Sequence, residues 1–269
     1  MLSWIRIGFV SLLFAALLVL PLRAQNSEQL EVGPLPQRRV EPPAPGATPE
    51  QLEKRGDELR VDKDYLDAVD FYQAALKGTP GSAALFNKIG MCQLQMRRDR
   101  EAKKSFERSI QADHNYADAH NNLGATYYDM HKSDAAIQQY QKAISLNGNT
   151  ATYYSNLGTA YFAKKQFEKA VQSYAKAVQL DPDIFERSSR AGIQAKLSSP
   201  EDRAHYDYVL AKLYASTGDL DHSLHYLKKA MEEGYKDIKN VYKDEEFSAL
   251  RKDPRFAELM AAKPLAISD

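Results

Sequence analysis

The residues of this chain best suited to metal or covalent chemistry are six histidines and one cysteine: His114, His120, His131, His205, His222, His225 and Cys92. His222 and His225 stand i,i+3, which puts two imidazoles on one face of a helix, with Asp219 and Asp221 close in sequence. Such a pair can share a soft divalent metal. Two ligands on a solvated face do not make a centre, however, and ordinary surface histidines are the first reading. A metal-dependent enzyme or metal-binding module on His222 and His225 is therefore kept only as a rival, and neither metal nor cofactor is expected. Cys92 has no histidine near it in sequence to act as base, so a buried thiol is expected rather than a nucleophile. As the only cysteine, it also excludes an intrachain disulfide. There is no glycine-rich phosphate loop, no HExxH and no nucleophile elbow. The expectation is a protein that is not an enzyme.

Charge excludes another class. Lys+Arg and Asp+Glu both number 36 in 269 residues, and nucleic-acid binders usually carry a basic excess because phosphate contacts supply much of their affinity. The stretch "YDYVLAKLYA" mixes tyrosine with lysine, but the acids interspersed nearby give it the pattern of a solvated helical face. No nucleic-acid partner is expected.

The N-terminus, "MLSWIRIGFVSLLFAALLVLPLRAQ", has the order of a secretory signal: Arg6, then an uncharged run from Ile7 to Leu22, then a processing site ending at Ala24. Residues 1–24 are read as a signal peptide that sends the chain to the bacterial periplasm. The alternative is an uncleaved anchor in the inner membrane, which would be the only membrane contact. The 16 residues from Ile7 to Leu22 reach about 24 Å as a helix, short of a roughly 30 Å hydrocarbon core unless Trp4 and Ile5 join them. Residues 25–48 carry five prolines and two glycines between Gly33 and Thr48 and read as a disordered linker.

The elements that would position any site begin at Pro49. Gly56, Gly90, Gly124 and Gly158 recur every 34 residues. So do Ala68, Ala102, Ala136 and Ala170, the aromatics Tyr72, Phe106, Tyr140 and Tyr174, and the small residues Ala75, Ser109, Ala143 and Ala177. Two helices of about 13 residues with short turns fill such a period. The glycine lets helix A approach the alanine of helix B closely, and the aromatic fills the groove above. Leu123 and Tyr127 make an i,i+4 packing stripe, which Tyr161 repeats; Gln93 in that column predicts a weaker joint. Pro80 and Pro182 end helices, and Asn115 and Asn149 stand where they can cap the helices that follow.

This pattern resembles the tetratricopeptide repeat, a helix-turn-helix unit of 34 residues. The resemblance implies an all-α fold: a right-handed α-solenoid with units at about 49–82, 83–116, 117–150 and 151–184. A connector over 183–203 leaves helix and coil open. A fifth, diverged unit follows over 204–237, with Ala211 in the glycine place and Tyr214 in the aromatic place. Residues 238–262 resemble the closing segment of such arrays, on Phe247, Leu250, Asp253, Pro254, Phe256 and Leu259. They are expected to form a capping helix over the exposed terminal face, and 263–269 reads as a frayed tail.

In this family helix A lines the concave side, so the resemblance implies a groove there for a protein or peptide partner. Its expected exposed residues are Asn87 and Met91 in the second unit, Asn121, Tyr128 and Asp129 in the third, and Ser155, Thr159 and Phe162 in the fourth. Aromatic anchors beside small residues suit an extended or helical segment. The ninth place holds Asp57, Met91, Ala125 and Thr159. The family's carboxylate clamp places asparagines there, so that clamp is not carried over. Asn122 and Asn156 are similar to an asparagine ladder found in arrays attached to glycosyltransferases, but two rungs do not bring that role with them. His120, where the family often has an aromatic, reads as packing between units. A protein-binding scaffold is the reading these features favour; a self-associating structural subunit of an envelope assembly is the alternative.

Overall fold

The structure is a computed structural model that describes residues 42–186 and 199–262. The chain divides into Met1–Gln37 and Arg38–Asp269, and all that is described belongs to the second part. The expected signal peptide, the linker up to residue 41, the middle of the connector (187–198) and the tail (263–269) lie outside the described residues.

Each 34-residue period is a helix pair. The pairs are α1 (Pro49–Val61) with α2 (Tyr65–Gly78), α3 (Ala83–Gln95) with α4 (Asp99–Ala112), α5 (Ala117–Asp129) with α6 (Ser133–Leu146), and α7 (Ala151–Ala163) with α8 (Phe167–Leu180). A fifth pair follows, α9 (Pro200–Thr217) with α10 (Leu220–Glu232), then three short 3₁₀ turns and α11 (Pro254–Ala262). No strand occurs among the described residues.

The helix starts follow local chemistry. The Gln51 amide donates to Thr48 Oγ1 (3.3 Å) and the Thr48 amide to Gln51 Oε1 (3.0 Å), a reciprocal cap with Pro49 behind it. Ser82 caps α3 by accepting from the Leu85 amide at 3.3 Å. Asn115 and Asn149 do not cap as expected. The N-caps of α5 and α7 are Tyr116 and Thr150, neither with a side-chain cap bond. The two asparagines instead donate their backbone N–H to Asp113 Oδ1 (2.9 Å) and Asn147 Oδ1 (3.2 Å). The residue two before each asparagine thus turns the chain out of helix B, and the N-cap place falls to the residue after the asparagine.

The turn inside each pair is the same five times over. The residues Lys63, Arg97, His131 and Lys165 take left-handed φ of 67°, 60°, 59° and 58°, and Gly218 takes 82° in the fifth pair. Only a left-handed residue lets the next amide reach back to an open carbonyl of helix A. Those bonds run from Asp64, Arg98, Lys132, Gln166 and Asp219 to the carbonyls of Leu59, Gln93, Tyr127, Tyr161 and Tyr214, at 2.8–3.0 Å. Glycine holds this conformation without strain; the other four side chains pay roughly 1 kcal/mol each.

Packing within a pair is close. A Cβ on Gly56, Gly90, Gly124 or Gly158 would sit 2.4–2.7 Å from the ring of Tyr72, Phe106, Tyr140 or Tyr174 respectively. The four alanines of the facing column are fully buried, as are Ala211 and Tyr214 in the fifth pair. The polar residues in these columns are satisfied: Ser109 Oγ, in the small column, donates to the Ala83 carbonyl (2.7 Å), and Ser223 Oγ, in the alanine column of the fifth pair, to the Ala211 carbonyl (2.9 Å). Gln93 is similarly matched. Its Oε1 accepts from Ser105 Oγ at 2.6 Å, so the joint expected to be weak exchanges an aromatic contact for a hydrogen bond.

The C-terminal part departs from expectation in two ways. The first helix of the fifth pair begins at Pro200, a turn before Ala204, because Ser199 accepts from the Asp202 amide (3.1 Å), Pro200 sits at the first helical position and acids follow it. The closing segment is not one helix. Three 3₁₀ turns precede α11, and Val241, Phe247, Leu250 and Phe256 are buried in one cluster with residues of α8, α9 and α10. Asp244 ties these turns to α9 by accepting from Tyr208 Oη (2.9 Å) and pairing with Lys212 (3.0 Å).

Candidate protein-interaction face

Helices α1, α3, α5 and α7 present equivalent faces, and a side-chain ladder links them. The sixth residue of one unit donates to the fifth residue of the unit before it. Lys88 Nζ reaches Glu53 Oε1, and also Asp57 Oδ2, both at 2.7 Å; Asn122 Nδ2 reaches Asn87 Oδ1 at 3.0 Å; Asn156 Nδ2 reaches Asn121 Oδ1 at 2.9 Å. Asn121 Nδ2 also donates to Asn122 Oδ1 (3.2 Å), which makes the amides one continuous chain. Tyr153 Oη adds a bond to Asp118 Oδ1 at 2.5 Å, again between neighbouring units. The ladder has no further rung, because Val209 holds the sixth place of the fifth unit.

This arrangement corrects the exposure expected of the groove residues. Asn87 and Asn121 are buried because the amide of the next unit covers each of them. Tyr128, 8% exposed, packs with Ile137, Tyr140 and Leu157. Thr159 and Ser155 are buried together, with Thr159 Oγ1 donating to the Ser155 carbonyl (3.0 Å). Phe162, 3% exposed, lies against Phe167, His205 and Tyr206 at centroid distances of 5.1, 5.5 and 5.6 Å. It belongs to the core between the fourth and fifth units, where truncating a phenylalanine to alanine costs about 3–5 kcal/mol. Met91 is half-buried beside Ala102, Phe106 and Leu123, and half-buried Asp129 lies 3.5 Å from Arg97. The accessible parts of the face are Asn122, Asn156, Met91 and Leu94, half-buried, with Asp118, Thr152 and Ala163 exposed. The ladder donors Lys88, Asn122 and Asn156 were legible only as asparagine recurring near 34-residue spacing, with lysine in the same column.

The candidates for chemistry are dispersed. His222 Nδ1 donates to Asp219 Oδ2 at 2.6 Å and its ring stacks on Tyr214; His225 turns toward Glu186, 3.9 Å away. Among the described residues no three His, Cys, Asp or Glu side chains are placed to hold a metal ion. His120 is buried between Gln139 Oε1 (2.8 Å) and the His114 carbonyl (3.3 Å). Cys92 is fully buried. Burial pushes its thiol up to about 12, with Asp57 adding to the shift and Arg60 opposing it. No thiolate forms at neutral pH.

These are repeated helix pairs joined along one face, the architecture of protein-interaction scaffolds. Residues 117–149 and 151–184 match one profile described as tetratricopeptide repeat, and residues 83–116 and 206–233 match a second of the same description. The chain therefore carries tetratricopeptide repeats over these four stretches. Its first unit, outside both matches, repeats the geometry of the others with Gly56 against Tyr72. No curated protein matches the chain. Among solved structures, MamA is 25% identical over 68% of this chain and 96% of its own, with a TM-score of 0.47. A thermophilic TPR protein of Thermus thermophilus is 20% identical over 79% of this chain and 99% of its own, with a TM-score of 0.48. YrrB, described as a TPR protein with an unusual peptide-binding site, is 19% identical over 72% of this chain and 90% of its own, with a TM-score of 0.46.

Proposed function

We propose that this chain is a non-catalytic scaffold that holds an extended or helical segment of a protein partner along its helix-A face, in the periplasm or at the envelope. The ladder is the observation that carries the reading. Each side-chain amide has two N–H groups, and the ladder occupies one of those on Asn122 and one on Asn156. Both residues are half-buried at the surface of the face. Their second N–H groups stand one unit apart and can donate to the backbone carbonyls of a bound segment. Met91 and Leu94 offer apolar contact beside them. Export is supported by the order of Arg6, the apolar run and Ala24 in the sequence.

A photo-reactive residue at Met91 or Thr152 is expected to capture a discrete partner in the native envelope, whereas one at Gln172, exposed on α8, is not. Equal capture from Gln172 would move the interface off this face. Capture of a second copy alone would replace the reading with self-association. The mature N-terminus is expected at Gln25; recovery of chains still beginning at Met1 would favour the anchor.

A further inference from the structure

The joint between the fourth and fifth units is built differently from the others. The amide ladder stops at Val209, and aromatic rings take its place. His205, near the start of α9, sits in this joint. Its ring centroid is 4.5 Å from Phe167 and 5.5 Å from Phe162 on the fourth unit, and 5.7 Å from Tyr235, on which it stacks. Two residues on, Asp207 points into the pair itself. It is 4% exposed, and its Oδ1 lies 3.5 Å from Lys229 Nζ on α10. A second ion pair, Arg203 with Glu233, lies alongside at 3.6 Å, and Glu233 Oε2 has no hydrogen-bond partner.

We propose that α9 is a proton-sensitive helix: acid weakens its aromatic joint with the fourth unit through His205 while tightening its own pair with α10 through Asp207. The two groups differ in sign because one is a base and the other an acid, and both lie in surroundings that disfavour charge. Burial holds the His205 imidazolium below its ordinary 6.5, against the opposing pull of Asp202 on α9 and Asp237 after α10; the rings of Phe162, Phe167 and Tyr235 bring no compensating charge at neutral pH. The joint is therefore firm above 6.5 and gives way as pH falls and the imidazole charges. Burial, with Glu233 adding, raises Asp207 from 3.8 to about 7, against Lys229 and Arg203. Tyr226 of α10 and Tyr206 of α9 complete its titratable surroundings. Stability from the neutral Asp207 carboxyl is complete below 3.8 and lost as pH rises through about 7. Between about pH 8 and about pH 5 the fifth pair thus becomes firmer within itself and looser at its attachment.

The full chain tests both halves. Spin labels at Gln172→Cys on α8 and Lys228→Cys on α10 read the joint, since both sites are exposed and buried Cys92 stays unlabelled. The distance distribution is expected to broaden from about pH 8 to about pH 5. The broadening should vanish in His205→Phe and in His205→Gln, the second variant guarding against a misfit of the larger ring. Amide exchange of α10, corrected for its intrinsic rate, is expected to slow about tenfold or more over the same range and to lose that pH dependence in Asp207→Asn. An unchanged distribution in the parent, broadening retained in both His205 variants, or an unaltered exchange slope in Asp207→Asn would overturn the proposal.

Discussion

Replacing Gly158 with alanine tests the close approach on which the first four helix pairs depend. An added Cβ would lie 2.4 Å from Cε1 of Tyr174, 2.5 Å from Cδ1 and 3.1 Å from Cζ, where ordinary contact begins at 3.4 Å. The ring would have to retreat by about 1 Å. It is fully buried, with Phe185 at 5.3 Å and Tyr206 at 5.6 Å against its faces and edges, so no space lies behind it. Overpacking of this kind costs about 1–3 kcal/mol, and the lack of space puts this site near the upper end. Alanine regains about 1 kcal/mol through its better helix propensity. The expected net loss is about 2 kcal/mol, which for a domain of this length lowers the melting midpoint by roughly 4–8 °C. Circular dichroism melts and urea titrations of the parent and Gly158→Ala measure it. Gly81→Ala is the control: a Cβ there meets nothing within 4 Å, and its stability should stay within about 0.5 kcal/mol of the parent. A Gly158→Ala protein as stable as the parent would refute the argument that the ring and the glycine are fitted to one another.

Two further outcomes follow from burial. Cutting the chain before Val241 removes Val241, Phe247, Leu250 and Phe256 from the core; each such side chain stabilises by roughly 1.5–3 kcal/mol when buried, so a lower melting midpoint and association in solution are expected. Unchanged melting in a monomer would mean that the segment covers nothing of consequence. Cys92, fully buried and with its thiol raised to about 12, should resist a thiol reagent at neutral pH until the chain is unfolded in urea; labelling of the native protein at the unfolded rate would contradict its placement.

The periodic columns made the fold legible because each encodes a contact between helices adjacent in sequence. Glycine, alanine and aromatic at 34-residue spacing is a local rule, and it places Gly124 against Tyr140 without knowledge of anything distant. The helix-A face was less legible. Its residues meet the neighbouring unit, about 35 residues away, and whether a side chain there is open or covered depends on how closely the units stack. Tyr128 and Phe162 look like groove anchors on a single helix, yet the next unit closes over both. Gln93 looks like a flaw in the packing column of Tyr127 and Tyr161 until Ser105 supplies its partner.

The amino-acid sequence by itself determined the helix pairs, their period and the residues that seal them, because those depend on spacing along the chain and on side-chain size. It also determined that Cys92 stands alone and that no glycine-rich phosphate loop, HExxH or nucleophile elbow is written into the chain. Only the tertiary structure decided which polar residues face one another. It turned Asn87, Asn121, Asn122 and Asn156 into a ladder, and it brought His205 among rings from two units and Asp207 beside Lys229. Those pairings rest on distances between helices and on the exclusion of water from between them, quantities that no single stretch of sequence contains.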